Sequence, residues 1–264
     1  MSLDQALKAQ CQQYLELLES KVQITMSLDD TKESKEVRDF VEEISSLSTK
    51  ISIKEETLEM TPSFSLEGEK GAKGVAFAGV PLGHEFTSFV LALLQVSGRA
   101  PKISEEEKRR IESLKEPLSF KTFVSLSCHN CPDVVQALNI MAVLNPNISH
   151  TMVEGGMFKD LVEEKGIMAV PTVYHDDQEF LGGRSNLAEI LSKLGAQEDL
   201  SLFDQVEPFD VLVVGGGPGG ASAPIYAARK GIRTGLLAKE FGGQVKETMG
   251  IENLIGTKYT EDRS

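Results

Sequence analysis

The chain has 264 residues, 41% of them hydrophobic and 25% charged, with a formal net charge of −13. That size allows one or two domains with real cores, and the acidic balance argues against a nucleic-acid surface or an anionic membrane as partner. Cys11, Cys128 and Cys131 do not make a secreted disulfide framework, no apolar run reaches membrane-spanning length, and the N-terminus lacks the basic-then-apolar order of a signal peptide, so the cytoplasm is the expected compartment.

Leu3, Ala6, Leu7, Tyr14, Leu15 and Leu18 recur at helical spacing and predict an amphipathic first helix, with Cys11 packed on or near its inward face. Val22–Leu28 alternates like a strand. Asp29-Asp30-Thr31 carries helix-starting chemistry, and Val37, Phe40, Val41, Ile44 and Leu47 form the inward stripe of the helix that follows. Ile51–Lys54 reads as a second strand. Ser63–Leu66 and Gly74–Val80 read as a hairpin about a glycine-rich turn. Gly83-His84-Glu85-Phe86 opens a helix over Thr87–Val96, which Ser97-Gly98 ends. Ile103–Glu116 is a charged helix whose i,i+4 pairs suit a solvated face.

The order then repeats. Phe120–Leu126 is a strand, and Cys131–Leu144 is a helix stopped by Asn145-Pro146. Ile148–Val153 is a strand, and Phe158–Lys165 is a helix with Gly166 as its stop. Val170–His175 and Glu179–Leu181 make a hairpin about Asp176-Asp177, and Asn186–Leu194 closes the unit before Gly195. At an offset of about 98 residues Val37 falls on Val135, and the first copy has acids where the second has cysteines. A polar linker, Ala196–Pro208, leads to a buried-strand pattern at Phe209–Val214. A run of glycines, a helix over Ala221–Lys230 and a second strand over Gly231–Leu237 follow.

Two stretches carry chemistry. Cys128 and Cys131 lie between a strand and a helix, the layout of a dithiol redox site. The positive end of the helix would stabilise a thiolate at Cys128, and Cys131, one turn further in, could attack a mixed disulfide and close the pair. A protonated His129 would add positive charge nearby, and Pro132 is tolerated in a first turn. Structural zinc would ask for four ligands, usually two such pairs; two unrelated buried thiols are the other alternative. Pro171 stands at a strand entrance, where the backbone of Val170 would stay unpaired and open to an extended substrate. In the second stretch, Gly215, Gly217 and Gly220 sit between two strands and open a helix, the fingerprint of a dinucleotide site. Gly215 turns tightly, Gly217 admits a pyrophosphate and Gly220 permits close packing, with Glu240 at the distance of a ribose-binding acid. Lys239 stands directly before it, and Pro224 interrupts the helix at a cost of about 3 kcal/mol. A glycine turn with no ligand is the plainer alternative.

SCHNCPDVVQALNIMAVLNP, AVPTV and VLVVGGGPGGASAPIYAARKGIRTGLLAKEFGGQV together resemble the flavoprotein component of bacterial alkyl hydroperoxide reductase. The resemblance implies an α/β fold class. A thioredoxin-like fold without a CxxC spans 1–101, a connecting helix 102–117, and a thioredoxin-like fold with the CxxC 118–195. A linker (196–208) and the first βαβ of an FAD-binding, Rossmann-like domain (209–264) complete it. It implies an NADH-dependent disulfide oxidoreductase that relays electrons to the peroxiredoxin subunit of the same system. Cys128 would attack, Cys131 would resolve, and Pro171 would be a cis-proline beside them. Glu85, on the silent copy, would lie near the dithiol as an acid–base group. Gly215, Gly217 and Gly220 would cradle the FAD diphosphate. The second CxxC, the NADH-binding unit and the rest of the FAD domain have no counterpart here. The expectation is therefore a chain truncated after the start of its FAD domain, cut off from its electron source and from the portion through which the family forms a homodimer. A non-catalytic tandem docking module, or an inactive reductase fragment, is the alternative.

Overall fold

A computed structural model describes residues 5–69, 71–196, 207–238, 241–242, 250–251 and 260–261. The chain forms two compact units, Met1–Asp199 and Leu200–Ser264.

The first unit opens with helix α1 (Gln5–Leu15). Cys11, Leu15 and Leu18 are its buried stripe, whereas Tyr14, expected inward, is 42% exposed. It lies about 60° round the helix from Cys11, at the margin of that stripe. Leu3 and the Ala6 side chain lie outside the described residues. Strand β1 (Val22–Ser27) is buried along almost its whole length instead of alternating. It is an interior strand, parallel to β2 (Ile51–Glu55) and antiparallel to β3 (Ser63–Gly68), with side chains packed on both faces. Helix α2 (Lys32–Ser46) starts at Thr31, whose hydroxyl accepts from the Ser34 N–H, and buries Val37, Phe40, Val41 and Ile44. Strand β4 (Val75–Ala78) completes the hairpin with β3. A 3-10 turn at Gly83–Glu85 leads into helix α3 (Phe86–Val96), and helix α4 (Glu105–Ser113) begins with a Ser104–Glu107 capping box and buries Ile111.

The second copy runs β5 (Leu118–Val124), α5 (Cys131–Leu144), β6 (Ile148–Glu154), α6 (Lys159–Glu164), β7 (Thr172–His175), β8 (Gln178–Gly182) and α7 (Leu187–Lys193). Both copies are thioredoxin-like, and their strands fall in the same order, β2-β1-β3-β4 and β6-β5-β7-β8. The two four-stranded sheets are joined: β4 pairs in parallel with β6, from Val75↔His150 to Ala78↔Val153, so one sheet of eight strands runs through both.

Strand alternation divides the core. Val75, Phe77, Phe120, Val124, Met152 and Val173 face the main cluster, with α1, α2, α3, α5 and α7. Ala78, Phe123, Val153 and Tyr174 point to the opposite face, where α6 contributes Leu161 and Val162. In the first copy Phe40, Phe64, Phe77 and Phe89 pack ring on ring at 5.2–6.2 Å. Beneath α5 the main cluster holds a polar triad. His150 Nδ1 donates to Asn139 Oδ1 at 2.7 Å, and His150 Nε2 accepts from the Thr122 hydroxyl at 2.8 Å.

The second unit holds β9 (Val211–Val214), α8 (Pro218–Arg229) and β10 (Thr234–Leu237), a βαβ unit with parallel strands. The helix begins at Pro218, ahead of the expected Ala221, because Gly217 takes the cap position and a proline suits the first helical residue. A two-residue antiparallel pair, β11 (Gly250–Ile251) and β12 (Thr260–Glu261), had no sequence signal. Residues 197–206 of the linker lie outside the described set. Among the described residues no helix is long and apolar enough to cross a membrane.

Candidate functional site

Strand β5 delivers the chain to the cysteines. The Cys128 N–H donates to the Ser125 carbonyl at 2.9 Å, and α5 begins at Cys131 with Pro132 in its first turn. Asn130 precedes the helix without a side-chain cap. Helices α2, α4 and α7 differ, since Thr31, Ser104 and Asn186 each accept from a first-turn N–H. The N–H groups at the start of α5 are thus left for another acceptor, and their partial positive charge favours a thiolate. At the start of α2 in the first copy that position is already filled. The Asp29 carboxylate accepts from the Thr31 N–H at 3.1 Å and the Ser34 hydroxyl at 2.5 Å, and these bonds, Ser34 foremost, hold it below the usual carboxylate range.

Cys128 and Cys131 form a disulfide with Cα atoms 5.6 Å apart. Cys131 is fully buried, whereas Cys128 is half-buried at the edge of the core. An incoming sulfur therefore meets Cys128 first. The Val170–Pro171 bond is cis, and Cys128 Sγ lies 3.7 Å from the Val170 carbonyl oxygen. The loop is held at both ends: the Thr172 hydroxyl donates to the Ala169 carbonyl at 2.7 Å, and the Gly183 N–H donates to the Pro171 carbonyl at 2.8 Å. Among the described residues the Val170 N–H makes no backbone hydrogen bond. Two residues earlier, Met168 is 95% exposed, an apolar side chain left in water near this loop. Arg184 Nε donates to Asp133 at 2.8 Å, tying the β8–α7 loop to the first turn of α5.

The copy without cysteines also reaches the site. Its 83–85 turn docks on the dithiol loop, where the His84 N–H donates to the Leu126 carbonyl at 3.0 Å. Gly83 has φ 57°, and a Cβ there would stand 2.4 Å from the Leu126 oxygen, so only glycine allows the approach. The His84 and His129 rings lie 4.0 Å apart, centroid to centroid. Gln136 of α5 donates to the Ser88 hydroxyl of α3 at 3.2 Å. Glu85 is fully buried, and neither carboxylate oxygen has a hydrogen-bond partner. Burial pushes its carboxyl up to about 7, while the nearby Ser88 hydroxyl, not aligned for a full hydrogen bond, pulls the other way.

Two features carried no weight in the sequence reading. The Thr61–Pro62 bond is also cis, and the Ser63 hydroxyl donates to the Met60 carbonyl just as Thr172 does to Ala169. A proline followed by a hydroxyl residue at a strand entrance is the shared signal. The His84–His129 contact had none, because its partners come from different copies. Cys11 is a packing thiol, with burial pushing it up to about 11. Among the described residues no group of three or more His, Cys, Asp or Glu side chains could hold a metal ion.

In the second unit, Gly215 has φ 118° and its N–H bonds the Leu237 carbonyl at 2.8 Å. A Cβ on Gly220 would fall 1.9 Å from the Gly215 oxygen, whereas nothing lies within 4 Å of one on Gly217. The turn is therefore tight where Gly215 meets Gly220 and open at Gly217, where α8 starts. Bare backbone at a helix N-terminus suits a diphosphate. Glu240 lies outside the described residues.

Residues 118–195 match the family described as a thioredoxin domain. The chain is 54% identical over 261 residues to a protein of Bacillus subtilis named NADH dehydrogenase, covering 99% of this chain and 51% of that one. It is 52% identical to the alkyl hydroperoxide reductase F subunit of Staphylococcus epidermidis, covering 98% of this chain and 50% of that one. The chain thus spans about half the length of the curated relatives it matches. Among solved structures, the NTD_N/C domain of alkylhydroperoxide reductase AhpF from Enterococcus faecalis superposes with a TM-score of 0.68 at 30% identity. That match covers 73% of this chain and all of the other.

Proposed function

The chain belongs to the AhpF family of alkyl hydroperoxide reductases, and from that membership we propose that its Cys128–Cys131 pair relays electrons to a peroxiredoxin. One observation carries the reading: the accessible sulfur of Cys128 lies against the carbonyl that precedes cis-Pro171, at the uncapped start of α5, with Cys131 buried behind it. In the reduced pair, the Cys128 thiolate attacks the partner's disulfide, forming a mixed disulfide and expelling one partner thiolate. Cys131, deprotonated, then attacks Cys128 Sγ, which closes the Cys128–Cys131 disulfide and releases the partner's second sulfur as a thiolate. Two electrons have passed to the partner, whose thiolates take up protons. Glu85, buried and poised near neutrality, is suited to accept the Cys131 proton. The Val170 N–H, without a backbone partner among the described residues, and the exposed Met168 suit an extended partner segment laid along the loop.

The same reading makes 1–101 the silent copy, 118–195 the active copy, and 209–264 the start of a flavin-binding portion. Gly215, Gly217 and the first turn of α8 would hold the FAD diphosphate, with the ribose contact assigned to Glu240. Bound there, FAD would supply the electrons that reload the dithiol, drawn from NADH in the family's full reaction. The peroxiredoxin subunit of alkyl hydroperoxide reductase is the proposed partner, and the cytoplasm the proposed compartment.

The test is a trap. With the chain pre-reduced, Cys131→Ser should accumulate a covalent mixed disulfide with the peroxiredoxin on a non-reducing gel, and Cys128→Ser should transfer nothing. Transfer persisting in Cys128→Ser would sink the mechanism.

A further inference from the structure

The copy without cysteines does more than duplicate the fold, because its 83–85 turn forms one wall of the redox site. The dithiol loop meets that turn twice, through the Leu126 carbonyl on the His84 N–H and through the His129 ring on the His84 ring. The backbone contact is possible only because residue 83 is glycine. One helix turn on, Gln136 and Ser88 bridge α5 and α3. His129 lies between the two cysteines in sequence, so whatever fixes its side chain also restrains the backbone that brings the sulfurs together. Asn130 offers no cap that would do this instead. Both imidazoles are exposed, so neither is needed to fill the core.

We propose that His84 is a positioning residue for the redox pair: its ring clasps His129 and holds the 128–131 loop in the geometry of the closed disulfide. The clasp is made in the oxidised chain, where the rings lie 4.0 Å apart with their planes at 52°. Opening the disulfide frees the loop to relax away from His84, so the contact favours the oxidised form. Ring pairs of this kind are worth about a three- to tenfold factor in an equilibrium constant. The inference assumes that the pair is redox-active, as proposed above, but does not depend on which partner it serves.

The experiment equilibrates the whole chain with mixtures of reduced and oxidised glutathione. The disulfide plus two reduced glutathiones gives the dithiol plus one oxidised glutathione. Trapped thiols are then counted by mass. His84→Ala should shift this equilibrium about three- to tenfold towards the dithiol. His129→Ala should shift it as far, and the double variant should go no further than either, since both changes remove one contact. His84→Phe, which keeps a ring in place, should stay within about twofold of the natural chain. In the reduced chain, where the clasp is open, urea midpoints should be unchanged in all four, which a merely structural role would not give. An equilibrium constant for His84→Ala within twofold of the natural value, a shift towards the disulfide, or additive effects of the two histidines would each overturn the clasp. Transfer to the peroxiredoxin is measured separately. A natural chain that equilibrates with glutathione yet never reduces the peroxiredoxin would refute the proposed partner and leave the result on His84 standing.

Discussion

Glu85 is a carboxyl without a partner in a place water does not reach. Folded, it keeps its proton up to about pH 7, against an ordinary value of 4.5. The folded value is the raised one, so the stability it lends is complete below about pH 4.5 and is lost as the pH rises through about 7. At about 1.4 kcal/mol per pH unit, the loss is bounded near 3 kcal/mol. Glu85→Gln keeps the shape without the charge. Its urea midpoint should therefore improve against that of the natural chain on going from about pH 5 to pH 8; a difference that stayed flat over that range would mean the carboxyl is ionised in the fold. His150 has the opposite sign. Burial lowers its ring to about 3, so its contribution is complete above about pH 6.5 and is lost as the pH falls. The cysteines separate in the same way. After reduction, iodoacetamide should modify Cys128 quickly and leave Cys11, buried with its thiol pushed up to about 11, untouched until the fold opens. Equal labelling of the two would remove the basis for calling Cys11 a packing thiol. The motif Cys128-His129-Asn130-Cys131 was legible because its chemistry sits in four consecutive residues. The surroundings of Glu85 were not, since burial without a partner is set by elements distant in the chain.

Among the elements, the turn at Gly83–Glu85 is the one on which the active copy leans. Gly83→Ala would force a Cβ against the Leu126 oxygen and a side chain into a left-handed backbone. We expect a loss of about 2 kcal/mol in unfolding free energy, together with slower transfer from the reduced pair, since His84 and Glu85 ride on the same turn. Unchanged stability would show that the turn can move off without cost. The helix behind the cysteines, Cys131–Leu144, could be read to the residue, because proline marks its first turn and Asn145-Pro146 its end. Other elements were blurred for identifiable reasons. Strand β1 showed an alternating pattern but lies inside the sheet with both faces packed. Helix α8 starts three residues before the expected position, where Gly217-Pro218 supplied a cap. The cis bond at Pro62 was overlooked because no cysteine nearby drew attention to it.

At the scale of the whole molecule, the β4–β6 pairing is what turns two repeats into one body. Nothing in the sequence announced it. The duplication was legible at an offset of about 98 residues, but which strands of the two copies would meet depends on long-range pairing that leaves no local pattern. Its consequence is measurable. Amides of Phe77 and Met152, one on each side of the seam, should exchange with deuterium at the same opening free energy, as parts of one cooperative unit. If the Phe77 side opened well before the Met152 side, the copies would be folding independently. The seam also changes how the molecule stands towards its neighbours in a crowded solution. Two separate four-strand sheets would present four raw margins of unpaired backbone, each a template for another chain. Joined, the described sheet has two, β2 and β8, and these carry Lys54, Glu55 and Glu179. Fusing the copies thus halves the exposed margins and leaves charge on those that remain, a protection against aggregation that neither copy would have alone.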